Sequence, residues 1–156
     1  MLNWDDYFMY VAVLSAQRSK DPNTKVGTCI VNEEKKIVAV GYNGMPRGCN
    51  DTEFPWGRTG EYLDQKYLYV VHAELNAILN ATCKLTNCIL YTCLFPCNEC
   101  CKAIIQSGIK RIYYLCDKYN DTDSVIAAKK MLDAAGVAYI NHQPQITELK
   151  LSTKGV

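Results

Sequence analysis

The chain has 156 residues, 49% hydrophobic and 21% charged. That is enough apolar sequence for one ordinary domain with a real core, and it excludes a disordered or low-complexity chain. The formal net charge of +1 argues against a surface built to follow a nucleic-acid backbone, because such surfaces carry a strong basic excess. The nine cysteines are odd in number and irregular in spacing, and the N-terminal MLNWDDYFMY has neither a basic leader nor a long apolar run. These features predict a cytoplasmic, reducing setting, no membrane span and no disulfide framework.

In chain order, residues 4–20 predict a helix, with Tyr7, Tyr10 or Val11, and Leu14 recurring at helical spacing and Asp5 and Asp6 in its first turn. After the DPNT punctuation, residues 25–44 predict two strands joined by a charged turn at residues 33–35. Residues 44–70 are rich in Gly, Pro and Asn and poorly periodic, and a loop of that length in a compact domain usually has a function. Residues 71–82 predict a helix with Leu75, Ile78 and Leu79 as its buried stripe. A buried strand follows at 87–95, and then a helix at 96–108, opened by Pro96 and closed by Gly108. A strand at 109–115, a helix at 121–136 and a short strand at 137–141 complete the pattern, and the tail beyond residue 141 has no assigned structure.

The order α-β-β-α-β-α-β-α-β predicts one domain over residues 1–156, a three-layer α/β/α sandwich around a five-stranded mixed sheet. Right-handed crossovers make the last three strands parallel, with the first two as a hairpin beside them.

Three cysteines fall within five residues in FPCNECCK: Cys97, Cys100 and Cys101. Cys97 and Cys100 are three apart, so they share one helix face in a first turn whose free N–H groups favour thiolate. His72 opens the other buried helix, and open α/β sheets put ligands where helices begin, at the carboxyl ends of strands. Glu74 is two residues on, about 200° around an ideal helix, so the two side chains meet only at a centre off the helix end. His, Cys and Cys leave one corner of a zinc tetrahedron for water, and Glu74 is then placed to move that water's proton. A structural zinc closed by Cys101, Cys93 or His142 is the alternative. A redox dithiol would leave His72 and Glu74 without a role.

HAELNAI and PCNECC resemble the zinc-dependent cytidine/deoxycytidylate deaminase superfamily, and His-x-Glu with Pro-Cys-x-x-Cys is the signature of zinc deaminases. SAQRSKDPNTKVG, GYNGMPRG, LFPCNECCKAIIQSGIK and DKYND, in that order, resemble the eukaryotic-type deoxycytidylate deaminases. The resemblance implies hydrolysis of dCMP to dUMP and ammonia, with one Zn²⁺ per subunit on His72, Cys97 and Cys100 and Glu74 as the catalytic acid–base. It further implies the Ala73 N–H on the pyrimidine carbonyl and Asn43 on the deoxyribose. Ser19, Lys20 and Tyr119 are implied at the phosphate, with Arg18 as a neighbouring candidate. It also implies a homo-hexamer, activated by dCTP with Mg²⁺ and inhibited by dTTP. The effector candidates are Asn43, Gly44, Arg47 and Arg58, with Trp56 and Phe54 in the same segment. A second, structural zinc found in some relatives is not expected, because residues 50–71 have neither His nor Cys. A tRNA adenosine deaminase, a polynucleotide cytidine deaminase and a non-catalytic zinc module are the competing readings.

Overall fold

The structure is a computed structural model that describes residues 1–154. Helix α1 spans Trp4–Ala16, and Asn3 caps it by accepting the Asp6 N–H at 2.8 Å. The strands are β1 (Gly27–Val31), β2 (Ile37–Tyr42), β3 (Ile89–Leu94), β4 (Arg111–Cys116) and β5 (Ala138–Asn141). Helices α2 (Ala73–Asn80), α3 (Asn98–Gln106) and α4 (Asp123–Ala135) alternate with the last three strands. The sheet order is β2-β1-β3-β4-β5. β1 is antiparallel to both β2 and β3, and β3, β4 and β5 run parallel. The expected hairpin beside a parallel run is therefore present.

Strand alternation sorts the core into two clusters. Cys29, Val31 and Tyr91 face Phe8, Met9 and Ala12 of α1. Ile30, Leu90 and Ile112 face the opposite layer, where Ala77, Ile104 and Leu132 come from α2, α3 and α4. No helix of the described residues is long and apolar enough to cross a membrane.

Two helix faces differ from the sequence expectation. α1 ends at Ala16 and not at residue 20, and it buries Phe8, Met9, Ala12 and Ala16, leaving Tyr7 and Leu14 exposed. Part of the reason is Asp6, which is buried against the chain's own tail: His142 lies 2.7 Å from its Oδ1 and the Gln145 N–H donates to Oδ2 at 3.1 Å. Tyr10 donates to the Ile146 carbonyl, so the unassigned tail is pinned across α1. In α2 the buried positions are Ala73, Glu74 and Ala77, while Leu79 is exposed and Leu75 half-buried.

Close packing explains the choice of alanines. A Cβ on Gly41 would lie 2.3 Å from the Ala73 carbonyl and 2.5 Å from the Ala77 nitrogen. A Cβ on Gly27 would lie 1.9 Å from the Ala12 carbonyl. The helix backbones therefore rest directly on β1 and β2, and only small residues fit at the crossing. Gly41 thus sets the height of the first turn of α2 above the sheet. Gly41→Ala should lower stability by about 1–3 kcal/mol through overpacking and reduce retained zinc. A denaturant midpoint and metal content equal to wild type would contradict this.

Candidate active site

α2 and α3 both begin at the carboxyl-end edge of the sheet. His72 is the N-cap of α2, with extended backbone (φ −70°, ψ 156°), and Cys97 is the N-cap of α3, likewise extended (φ −70°, ψ 170°). His72 therefore stands outside the helix while Glu74 sits within its first turn, so the 200° offset of an ideal helix does not apply to the pair. Residues 44 and 71 exchange both backbone hydrogen bonds, at 3.1 and 2.9 Å, which fixes the entry to His72. Ser124 accepts from the Asn98 N–H and donates to Asn98 Oδ1 at 2.9 Å, tying the start of α3 to α4.

This framework brings His72 Nδ1 to 3.4 Å from Cys97 Sγ and 3.5 Å from Cys100 Sγ. All three donor atoms lie within 4.8 Å of one another. Tetrahedral zinc with ordinary Zn–N and Zn–S bonds needs an N···S edge of about 3.6 Å, so the donor set fits that ion. Among the described residues this is the one cluster of three such donors. Of the alternative fourth ligands, Cys101 is fully buried with its thiol toward the Pro96 carbonyl, and His142 is engaged with Asp6. Cys93, half-buried on β3, is not part of the cluster.

The groups at the cluster bias one another's charge: Cys97 and His72 toward ionisation, Cys100 and Glu74 away from it. Hydrogen bonding from Cys100, and then His72, holds the Cys97 thiol well below its ordinary value, while Cys100 is pushed up by its bond to Cys97 and by burial. The bond to Cys97 raises His72. Burial pushes the Glu74 carboxyl above its ordinary range, which suits a group that must both take and give a proton.

A cleft of about 360 Å³ opens over this cluster, within the size range of small-ligand sites. His72, Ala73, Glu74, Cys97, Asn43 and Tyr119, all site candidates from the sequence, line it. Arg58, expected as an effector contact, also lines it and donates to Thr24 at 3.1 Å. Ser19 and Lys20 do not line it. Ser19 is buried with its hydroxyl accepting from the Asp21 N–H, and the exposed Lys20 pairs with Asp51 at 2.5 Å. Arg18 and Arg47 are exposed outside the lining, and Gly44 is occupied in the bridge to Val71. Trp56 donates to the Asp51 carbonyl at 2.9 Å, and Phe54 packs edge-on to Tyr69.

Sequence reasoning missed the pair that builds one wall. Lys66, on a single 3₁₀ turn (Lys66–Leu68), is buried with its Nζ 2.5 Å from Asp21 Oδ2. Asp21 also accepts from the Asn23 and Thr24 N–H groups and from Asn43 Nδ2. Asn43 Nδ2 donates to the Thr24 carbonyl as well, and its Oδ1 accepts the Val26 N–H at 2.8 Å. Lys66 and Asp21 are 45 residues apart. No local pattern in the sequence links the two. Burial pushes Asp21 up, but the Lys66 bond, two backbone N–H bonds and the Lys66 charge outweigh it and leave its pKa lowered. A carboxylate held low contributes stability above the ordinary carboxylate range and loses it as pH falls through its folded pKa.

Lys66→Met should therefore destabilise the fold at pH 7 by about 3–5 kcal/mol, the cost of leaving one buried charge unpaired. The deficit should shrink in acid, where Asp21 is neutral in both proteins. An equal deficit at pH 7 and in acid, measured by denaturant titration, would contradict the pairing.

Comparison with known proteins gives a consistent result. The family model described as "Cytidine and deoxycytidylate deaminase zinc-binding region" matches residues 2–116. The chain is 55% identical to the deoxycytidylate deaminase of Homo sapiens over 150 residues, 95% of this chain and 84% of that one. It is also 55% identical to a probable deoxycytidylate deaminase of Drosophila melanogaster over 151 residues, 92% of this chain and 74% of that one. Among solved structures, it superposes on the dCMP deaminase of cyanophage S-TIM5 in complex with dCMP and dUMP with a TM-score of 0.68 and 27% identity, covering 88% of this chain and 95% of that one.

Proposed function

The chain belongs to the cytidine and deoxycytidylate deaminase family, and from that premise we propose that its cleft hydrolyses dCMP to dUMP and ammonia. The observation that carries this reading is the meeting of His72, Cys97 and Cys100 within 4.8 Å beside a buried Glu74. The relatives named for dCMP support the choice of nucleotide.

His72, Cys97 and Cys100 would hold the zinc. Bound there, the metal supplies a Lewis acid that draws the pKa of a water toward about 7. The chain's own groups do the remaining work. The Glu74 carboxylate takes the proton of the attacking water, delivers it to N3 of the pyrimidine, and assists departure of the C4 amine as ammonia. Ala73 is the first residue of α2, so its N–H has no partner within the helix and can meet the pyrimidine carbonyl. Asn43, held rigid by Asp21, Thr24 and Val26, sits where it can orient the sugar. Tyr119 and Arg58 are the lining groups suited to the phosphate, whereas Ser19, buried in its turn, and Lys20, paired with Asp51, lie outside the lining.

The chain acts as one deaminase domain in the cytoplasm, where its nine thiols suit a reducing setting. Regulation completes the reading: a homo-hexamer, activated by dCTP with Mg²⁺ and inhibited by dTTP, through the segment holding Asn43, Gly44, Arg47 and Arg58. The ordered packing of this segment against the cleft supports a route from effector to site.

Glu74→Gln should lower kcat by about 10²–10⁴-fold with zinc content retained. A panel of dCMP, CMP, deoxycytidine and single-stranded DNA, each with and without dCTP or dTTP, should show dCMP preferred and its turnover raised by dCTP. Deoxycytidine turned over as well as dCMP would contradict the phosphate contacts, and indifference to both triphosphates would contradict regulation.

A further inference from the structure

Glu74 does not hold its orientation alone. Its Oε1 lies 3.2 Å from the hydroxyl of Thr92 on β3, and that hydroxyl lies 3.2 Å from the hydroxyl of Thr28 on β1. Thr28 and Thr92 are directly opposite in the β1–β3 ladder, on the face that carries α2, and both are fully buried. Valine would have the same shape at both positions and would pack there without a polar atom to satisfy. A buried hydroxyl is unfavourable unless it is hydrogen-bonded. Two hydroxyls set across the central ladder, leading to one carboxylate, thus form a connected polar path through an otherwise apolar layer.

The direction of that path follows from proton counting. An ionised carboxylate only accepts, and a hydroxyl has one proton to give. While Glu74 is ionised, Thr92 must donate to it, and Thr28 must then donate to Thr92. One carboxylate oxygen is thereby tethered to the sheet, and the other is left for the proton that the reaction moves.

We propose that Thr92 is a positioning residue for Glu74, its hydroxyl fixing Oε1 and itself oriented by Thr28. The inference rests on the deaminase reading above. It separates Thr92 from residues that bind substrate or metal, because the hydroxyl lies behind Glu74 and lines neither the cleft nor the metal cluster.

The test is steady-state dCMP deamination by the zinc-loaded full chain, comparing Thr92→Val, Thr92→Ser and Thr28→Val, with Glu74→Gln assayed alongside. Thr92→Val should lose about tenfold in kcat, the low end for losing a hydrogen bond to a charged group. Its KM and zinc content should stay at wild-type values. Thr92→Ser should recover most of the rate, because it restores the hydroxyl without the methyl. Thr28→Val should lose about threefold in kcat, a smaller effect because it acts through a second hydrogen bond; it decides the question if Thr92→Val does not fold. A kcat within twofold of wild type for Thr92→Val overturns the proposal, as does a serine variant no better than the valine one. With Thr92→Val unfolded, an unchanged kcat for Thr28→Val does the same. Full activity in Glu74→Gln would instead overturn the deaminase mechanism, so the two failures are distinguishable.

Discussion

The site depends on two helix starts being held at a fixed height above one sheet edge. α2 and α3 each present an N-cap residue in extended backbone, His72 and Cys97, and the next turns supply Glu74 and Cys100. A displacement of either helix by an ångström would open the 3.4 and 3.5 Å contacts on which the metal geometry rests. The close approach of α2 to β2 at Gly41 fixes one helix, and the Asn98–Ser124 hydrogen bonds fix the other. Helix N-termini also supply the free N–H groups that favour thiolate and leave the Ala73 N–H open to a ligand. Packing and chemistry thus rest on the same few residues.

Polar anchoring of the surrounding loops follows from this arrangement. The segment from residue 44 to residue 71 leaves Tyr62, Leu63, Tyr67 and Leu68 exposed, yet it contributes Arg58, Lys66 and Tyr67 to the cleft. A buried ion pair, Lys66 with Asp21, does what a hydrophobic cluster would do elsewhere. Such a pair adds little net stability compared with an apolar substitute, but removing one partner is costly because the other is left buried and unpaired. Asn43 shares Asp21, so the same anchor stiffens the residue proposed to meet the sugar.

Much of this was legible in the sequence because it is local or periodic. Strand alternation, the Gly108 stop of α3 and the spacing of Cys97 and Cys100 each depend on residues within one element. The parallel run of β3, β4 and β5 followed from the handedness of their crossovers. The buried face of α1 lies on Phe8, Met9 and Ala12, offset from the expected Tyr7, Tyr10 and Leu14, and that of α2 was misread because its larger apolar residues were taken as the core. Where a glycine lets the helix backbone touch the sheet, the residue at the contact must be small, which explains Ala12 opposite Gly27 and Ala73 and Ala77 opposite Gly41. The Asp21–Lys66 pair, the Asp6–His142 contact and the Thr28–Thr92–Glu74 path join residues far apart in sequence with no common period, and only the assembled fold shows them.

As proposed above, His72, Cys97 and Cys100 form an open, catalytic zinc site and not a closed structural one. X-ray absorption at the zinc edge of the purified protein tests it most directly. An open site gives two sulfur neighbours at about 2.3 Å and two nitrogen or oxygen neighbours at about 2.0–2.1 Å, one of them exchangeable solvent. A shell of three or four sulfur atoms would contradict it, because a further cysteine would then close the corner that the reacting water needs.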